Sequence, residues 1–299
     1  MKKVLVPLKT LTLLLRIILI KIPHFLKKPS FSFIMKYPYM FQDLQTHTTW
    51  SDGDNSVHEM VEQAYNKELH TYGITDHFRS QKLKRGDYVS STRIPTYKST
   101  IIFFKDQFPS LNLVVGLEID TTSQGPGLRG MAQDPFTMKN LQQLDYLLME
   151  HVADKQYDEV RKFVADKKGE KKIEELSYMG IDNFLRTIAL WRDKGITIPI
   201  GLAHNSIDRN LSIPELEKLA AEEIFIELCS DVLDIETGKP FYLNHEYTPK
   251  LLHFINAGGK ISIGSDAHEV SMVGKVNSAI EYIEKLEIED SVIEIKPND

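Results

Sequence analysis

Residues 111–120 read LNLVVGLEID. The first seven are almost unbroken in apolar character, and an acidic residue, Glu118, follows at once. An apolar run without polar alternation marks a strand covered on both faces, as in a parallel sheet packed between helices. The carboxylate matters as much as the run, because parallel α/β folds keep their chemistry at the C-terminal ends of the strands.

The same pattern recurs on either side. Further strands are predicted at 40–46, 71–75, 144–149, 197–203, 224–228 and 260–264, each separated from the next by apolar residues at helical spacing. The helix ends are written in the sequence. Ser56 with Glu59, and Ser212 with Glu215, are capping boxes. Thr248-Pro249 opens another helix, and Gly258-Gly259 closes it. Seven strand–helix units predict an α/β fold closed, or nearly closed, into a barrel. The charged stretch KKGEKKIEE at 167–175 is predicted to be a solvated helix or excursion within the domain.

Composition narrows the class. A hydrophobic share of 42% and a charged share of 26% over 299 residues exclude collagen-like and disordered chains. The lone Cys229 excludes a disulfide scaffold, fits a reducing compartment such as the cytoplasm, and reads as a small buried apolar residue. The net charge of −6 is unevenly spread: seven bases and no acid precede residue 35, leaving 29 bases against 42 acids. Residues 1–38 therefore read as a basic apolar extension and 39–299 as the working domain. Lys9, Arg16 and Lys21 interrupt every window of about 20 residues that a membrane span needs. The extension is expected to take no part in the chemistry, with weak membrane association of residues 1–34 as its alternative role.

Metal-ligating side chains crowd the strand ends. Gln45, His47 and Asp52 follow the first strand in DLQTHTTWSDG, and Asp76 and His77 follow the second in ITDH. Glu118 follows the third, His151 the fourth in LLMEHV, and His204 the fifth in IGLAHN. The seventh leads into Asp266 and His268 in IGSDAH. In a parallel barrel these positions share one rim, and imidazoles with carboxylates at this density are what Zn²⁺, Mn²⁺ or Fe require.

DLQTHTTWSDG, ITDH, GLEID, AHN and SDAH, in this order, resemble the motifs of the polymerase-and-histidinol-phosphatase (PHP) superfamily. The likeness is greatest to the domain attached to bacterial family X DNA polymerases, with histidinol phosphatases as the other comparison. It implies a distorted (β/α)7 TIM-like barrel carrying two to three divalent metals (Zn, Mn or Fe, with Mg admitted). One metal would take Gln45, His47, Glu118 and Asp266; a second Glu118, His151 and His204; a third Asp52, His77 and His268. Gln45 departs from the family, which usually has a histidine there. A neutral amide oxygen is the weaker Zn²⁺ ligand and suits harder cations.

The chemistry implied is hydrolysis of a phosphate mono- or diester by a metal-bound hydroxide. His204 and Asp266 would orient the metals, Asp76 would support a ligand histidine, and Arg79 would reach a substrate phosphate. A small phosphorylated substrate is expected. The 3′ end of a nucleic acid is the alternative, disfavoured because an acidic domain lacks the basic face that nucleic acid binding uses. Gln45 also keeps open a degenerate module that binds metal poorly and serves as a scaffold.

Overall fold

The computed structural model describes residues 38–80, 83, 87–121, 127–153, 159–165, 171–177, 179–204, 211–230, 240 and 247–298. They belong to the unit Tyr37–Asp299. The extension expected over 1–38, except its last residue, lies outside the described residues.

Seven parallel strands run in chain order around the sheet: β1 (Gln42–Asp43), β2 (Thr71–Ile74), β3 (Asn112–Asp120), β4 (Tyr146–Glu150), β5 (Ile200–Leu202), β6 (Ile224–Cys229) and β7 (Ile261–Gly264). A two-residue segment, His77–Phe78, continues the pairing with β3 beyond β2. The ring closes between its first and last members: Leu44 N donates to Ile263 O at 2.9 Å, and His47 N to Ala267 O at 2.8 Å. The first strand, expected over 40–46, is regular only at Gln42–Asp43, and residues 38–41 form a 3₁₀ turn. Its remainder is held by single bonds to both neighbours, including Thr75 N to Thr46 O at 2.8 Å.

Each strand is followed by a helix: α1 (Val57–Asn66), α2 (Ile94–Ile102), α3 (Pro135–Leu141), α4 (Ile181–Asp193), α5 (Ile213–Ala221), α6 (Tyr247–Asn256) and α7 (Asn277–Leu286). Both capping boxes form; Ser56 N donates to Glu59 Oε2 at 2.8 Å and Ser212 N to Glu215 Oε2 at 2.7 Å. Of the charged stretch, expected as a solvated helix or excursion, the described residues 171–175 lie in a strand rather than a helix. Residues Lys171–Ser177 pair antiparallel with Glu159–Ala165 as a β-hairpin.

The helices bury their apolar faces against the outside of the barrel in one large core. A separate core fills the barrel interior: Leu44, Val114, Tyr146, Leu148, Ala203 and Phe225, with Ile295 beneath them. Tyr146 spans this interior and donates its hydroxyl to Leu44 O at 2.5 Å. Gly73 makes room for it, since a Cβ there would lie 2.0 Å from the Tyr146 hydroxyl oxygen. The C-terminal tail crosses the N-terminal mouth, with Ile293 N on Ile261 O at 2.8 Å and Asn112 Nδ2 on Ile295 O at 3.3 Å. Packed inside and plugged at one end, the barrel offers chemistry only its C-terminal rim. Among the described residues no helix is long and apolar enough to cross a membrane.

Candidate metal centre

The loop after β1 is anchored before it reaches the rim. Asp76, fully buried, accepts from Thr48 N at 2.8 Å, Thr48 Oγ1 at 2.8 Å and Ser51 Oγ at 2.7 Å. Trp50 packs edge-on to Tyr97 at 5.5 Å, and the Arg93 guanidinium sits 4.6 Å over its ring. Gly53 is required by close approach, because a Cβ would lie 2.5 Å from His47 O. This loop delivers His47 and Asp52. Asp76 thus supports the loop between two rim residues, and its partners are threonine and serine where a histidine was expected.

At the other strand ends the chain turns sharply. Arg79, His151, His204 and Asp266 all have φ between 43° and 62°. Such left-handed non-glycine residues cost roughly 1–3 kcal/mol each and persist only where neighbours impose them. Here Asp266 N is fixed by Gln45 O at 2.9 Å, and His204 N by Glu227 Oε2 at 3.1 Å. Asp43 accepts from Ser265 N, Ser265 Oγ and Gly274 N, tying β1 to the segment that carries Asp266.

Two groups of donors result. In the inner one, His204 Nε2 lies 2.8 Å from Gln45 Nε2, 3.0 Å from Glu118 Oε1 and 3.3 Å from Asp266 Oδ2. His47 Nε2 lies 3.3 Å from Glu118 Oε2 and 3.0 Å from Asp266 Oδ1. In the outer one, Asp52 lies 3.6 Å from His77 Nε2, 3.5 Å from His268 Nε2 and 3.8 Å from His47 Nδ1. His268 stacks on His47 with ring centroids 4.3 Å apart. His151 Nδ1 faces Asp120 Oδ1 at 3.2 Å and Glu150 Oε2 at 3.6 Å. Arg79 donates to Ser91 Oγ at 3.0 Å, with its guanidinium over the Phe78 ring. Cys229 is buried.

Three residues of this rim escaped the sequence reading. Glu150 directly precedes His151, and Asp120 ends the same LEID that supplies Glu118. Glu227 lies two residues beyond the interior Phe225, so strand alternation alone points it inward.

The electrostatics are those of charges held close. Burial pulls the His47 imidazole down, yet Asp266 and Glu118 together hold it well above its ordinary value. Burial likewise pushes Asp266 and Glu118 up, and the facing histidines, His204 foremost, bring both below the usual carboxylate range. Asp52 is lowered against its own burial by His268, His77 and His47. Glu227 is pushed up to about 8 by burial, which outweighs the lowering by the His204 imidazole and its backbone N–H.

The donor set fits divalent cations. Gln45 Oε1, both ring nitrogens of His47, both oxygens of Glu118 and Asp266 Oδ1 are buried without a hydrogen bond among the described residues. Buried polar atoms in such numbers are rare unless something else satisfies them. One amide and two carboxylates also converge on the single Nε2 of His204, which has one lone pair or one proton to offer. The groups His47–Glu118–Asp266 and His47–Asp52–His77–His268 each bring one donor atom per residue within 4.8 Å.

A parallel barrel whose open rim gathers imidazoles and carboxylates in this way is the construction of metal-dependent hydrolases. Residues 43–190 match the model of the PHP domain family. A histidinol phosphate phosphatase of Lactococcus lactis, in complex with Zn, L-histidinol and phosphate, is similar in structure: TM-score 0.53 and 18% identity, over 82% of this chain and 93% of that one. A Listeria monocytogenes structure assigned as a histidinol phosphatase has TM-score 0.52 and 14% identity, over 80% and 99%. In sequence, the DNA polymerase/3'-5' exonuclease PolX of Bacillus subtilis is 34% identical over 83 residues, 28% of this chain and only 14% of that protein. Residues 43–190 therefore carry a PHP domain, on a fold shared with these histidinol phosphatase structures.

Proposed function

We propose that this chain is a metal-dependent phosphoesterase acting on a phosphate mono- or diester of a small molecule. Gln45, His47, Glu118, His204 and Asp266 would hold the inner cation positions, with His151 completing them, and Asp52, His77 and His268 an outer one. The observation that carries the reading is the convergence at one rim of Gln45 Oε1, the His47 ring nitrogens, both Glu118 oxygens and Asp266 Oδ1, all buried without a hydrogen bond among the described residues.

Bound divalent cations supply an activated water near neutral pH and neutralise charge on the phosphoryl group. The protein's own part is positional. Glu118 and Asp266 both face the imidazoles of His47 and His204, so they set the spacing of the inner donors. His204 and Asp266 orient that group from backbones locked in the left-handed region. Asp76 holds the loop that carries His47 and Asp52. Arg79, two residues beyond His77, would supply a fixed positive charge for a bidentate contact to a substrate phosphate.

A small substrate suits the chain better than a nucleic acid, because residues 35–299 hold 42 acids against 29 bases. Zinc accompanies the Lactococcus protein; in this chain Gln45 tilts the inner group toward Mn²⁺ or Mg²⁺. We place the protein in the cytoplasm and the segment before residue 39 outside the chemistry.

The test combines metal analysis with hydrolysis of p-nitrophenyl phosphate and its bis ester, after reconstitution with Mn²⁺ and with Zn²⁺. We expect about two to three cations per chain and turnover that His204→Ala or Asp266→Ala abolishes without loss of fold. An inert protein that retains almost no metal would overturn the reading and leave the scaffold role.

A further inference from the structure

β4 ends in two adjacent candidate ligands, Glu150 and His151, and only the histidine has a counterpart in the family pattern described above. The carboxylate is 1% exposed, and its two oxygens face different groups. Oε1 lies 3.6 Å from His77 Nδ1, itself 3.3 Å from Glu118 Oε2. Oε2 lies 3.6 Å from His151 Nδ1, which Asp120 approaches to 3.2 Å. His77, Glu118 and Glu150 bring one donor atom each within 4.8 Å.

We propose that Glu150 is a metal ligand, completing with His77 and Glu118 an additional, carboxylate-rich cation position on the inner side of the rim. The proposal rests on the reading of the rim as a cation centre. Glu118 and Glu150 are both at 1% exposure or less, and like charges buried so close are costly unless a cation lies between them. Glu118 supplies the independent sign, since neither of its buried oxygens has a hydrogen bond among the described residues. Asp120 and the second Glu150 oxygen flank His151 on its Nδ1 side, the side away from the nitrogen it would offer a cation. Two carboxylates and one imidazole are a harder donor set than the histidine-rich outer group, so this position favours Zn²⁺ over Mn²⁺ less strongly than the outer group does.

The experiment uses the full chain stripped with a chelator and titrated with Mn²⁺ and with Zn²⁺ separately, following stoichiometry and affinity by calorimetry and Mn²⁺ paramagnetic resonance. Glu150→Gln keeps the shape and removes the charge. It should lose one Mn²⁺ per chain or weaken it about tenfold or more, with a smaller effect on Zn²⁺. Glu150→His restores a ligand of the other kind and should shift the preference further toward Zn²⁺; it also serves where the glutamine variant fails to fold. Glutamine or histidine variants that bind Mn²⁺ with wild-type stoichiometry, affinity and preference would overturn the role of Glu150 while leaving the metal centre standing. A wild-type chain that takes up neither cation would overturn both.

Discussion

Replacing Asp76 by alanine tests how the rim is built. The side chain accepts three hydrogen bonds, two from Thr48 and one from Ser51, at 2.7–2.8 Å. Thr48 is fully buried, so the variant leaves its N–H and its hydroxyl without an acceptor, whereas Ser51 reaches water. A buried donor left unsatisfied costs about 1–3 kcal/mol. Two of them, less what a rotated hydroxyl recovers, give a loss of about 2–4 kcal/mol. The damage extends to cation binding, because His47 and Asp52 flank Thr48–Ser51, and loosening such support typically weakens metal affinity about 10–100-fold. Urea unfolding of the metal-free protein measures the first effect, and Mn²⁺ titration the second. Thr48→Val removes one of the stranded donors, so in the double variant the losses should fall short of additivity by about 0.5 kcal/mol or more. A loss below about 0.5 kcal/mol in Asp76→Ala, with unchanged Mn²⁺ affinity, would refute the claim that Asp76 organises the loop.

Three other outcomes are expected. Glu227 binds its proton up to about pH 8 in the fold and up to about 4.5 when unfolded. Stability of the metal-free protein must therefore fall as pH rises between those values, by at most about 1.4 kcal/mol per unit, and Glu227→Gln should flatten that slope in urea unfolding from pH 5 to 9. Gly73→Ala forces a Cβ to 2.0 Å from the Tyr146 hydroxyl oxygen and 3.1 Å from Leu44 Cα. It should cost about 1–3 kcal/mol, and Tyr146→Phe in the same chain should recover part of it in thermal unfolding. Finally, His47 and His268 are held above their ordinary values by facing carboxylates, so cations must displace protons there. Cation affinity should rise with pH through neutrality, and calorimetry in buffers of different ionisation enthalpy should show proton release; its absence would mean that these rings are not ligands.

The strand–helix alternation was legible in the chain because each element carries its own evidence. Buried parallel strands must be continuously apolar, as in LNLVVGL, and helix ends must satisfy backbone groups locally, as Ser56 and Ser212 do. Rim membership followed from the same logic, since a residue just past a parallel strand has little choice of address. The pairing of Glu159–Ala165 with Lys171–Ser177 was not legible, because the charge run left helix and excursion open and the pairing depends on a second segment.

Sequence by itself therefore pointed Gln45, His47, Asp52, His77, Glu118, His151, His204, Asp266 and His268 to the rim, from strand ends and residue chemistry, and left out Asp120, Glu150 and Glu227. Only the tertiary structure decided how they are grouped. That Asp76 grips a loop, that His204 meets Gln45, Glu118 and Asp266 at one nitrogen, and that Glu150 faces His77 as well as its neighbour His151 depend on distances between chain segments up to about two hundred residues apart. Such distances are set by barrel closure, by the left-handed turns at the strand ends and by the packing of Tyr146 inside, none of which is local in the chain.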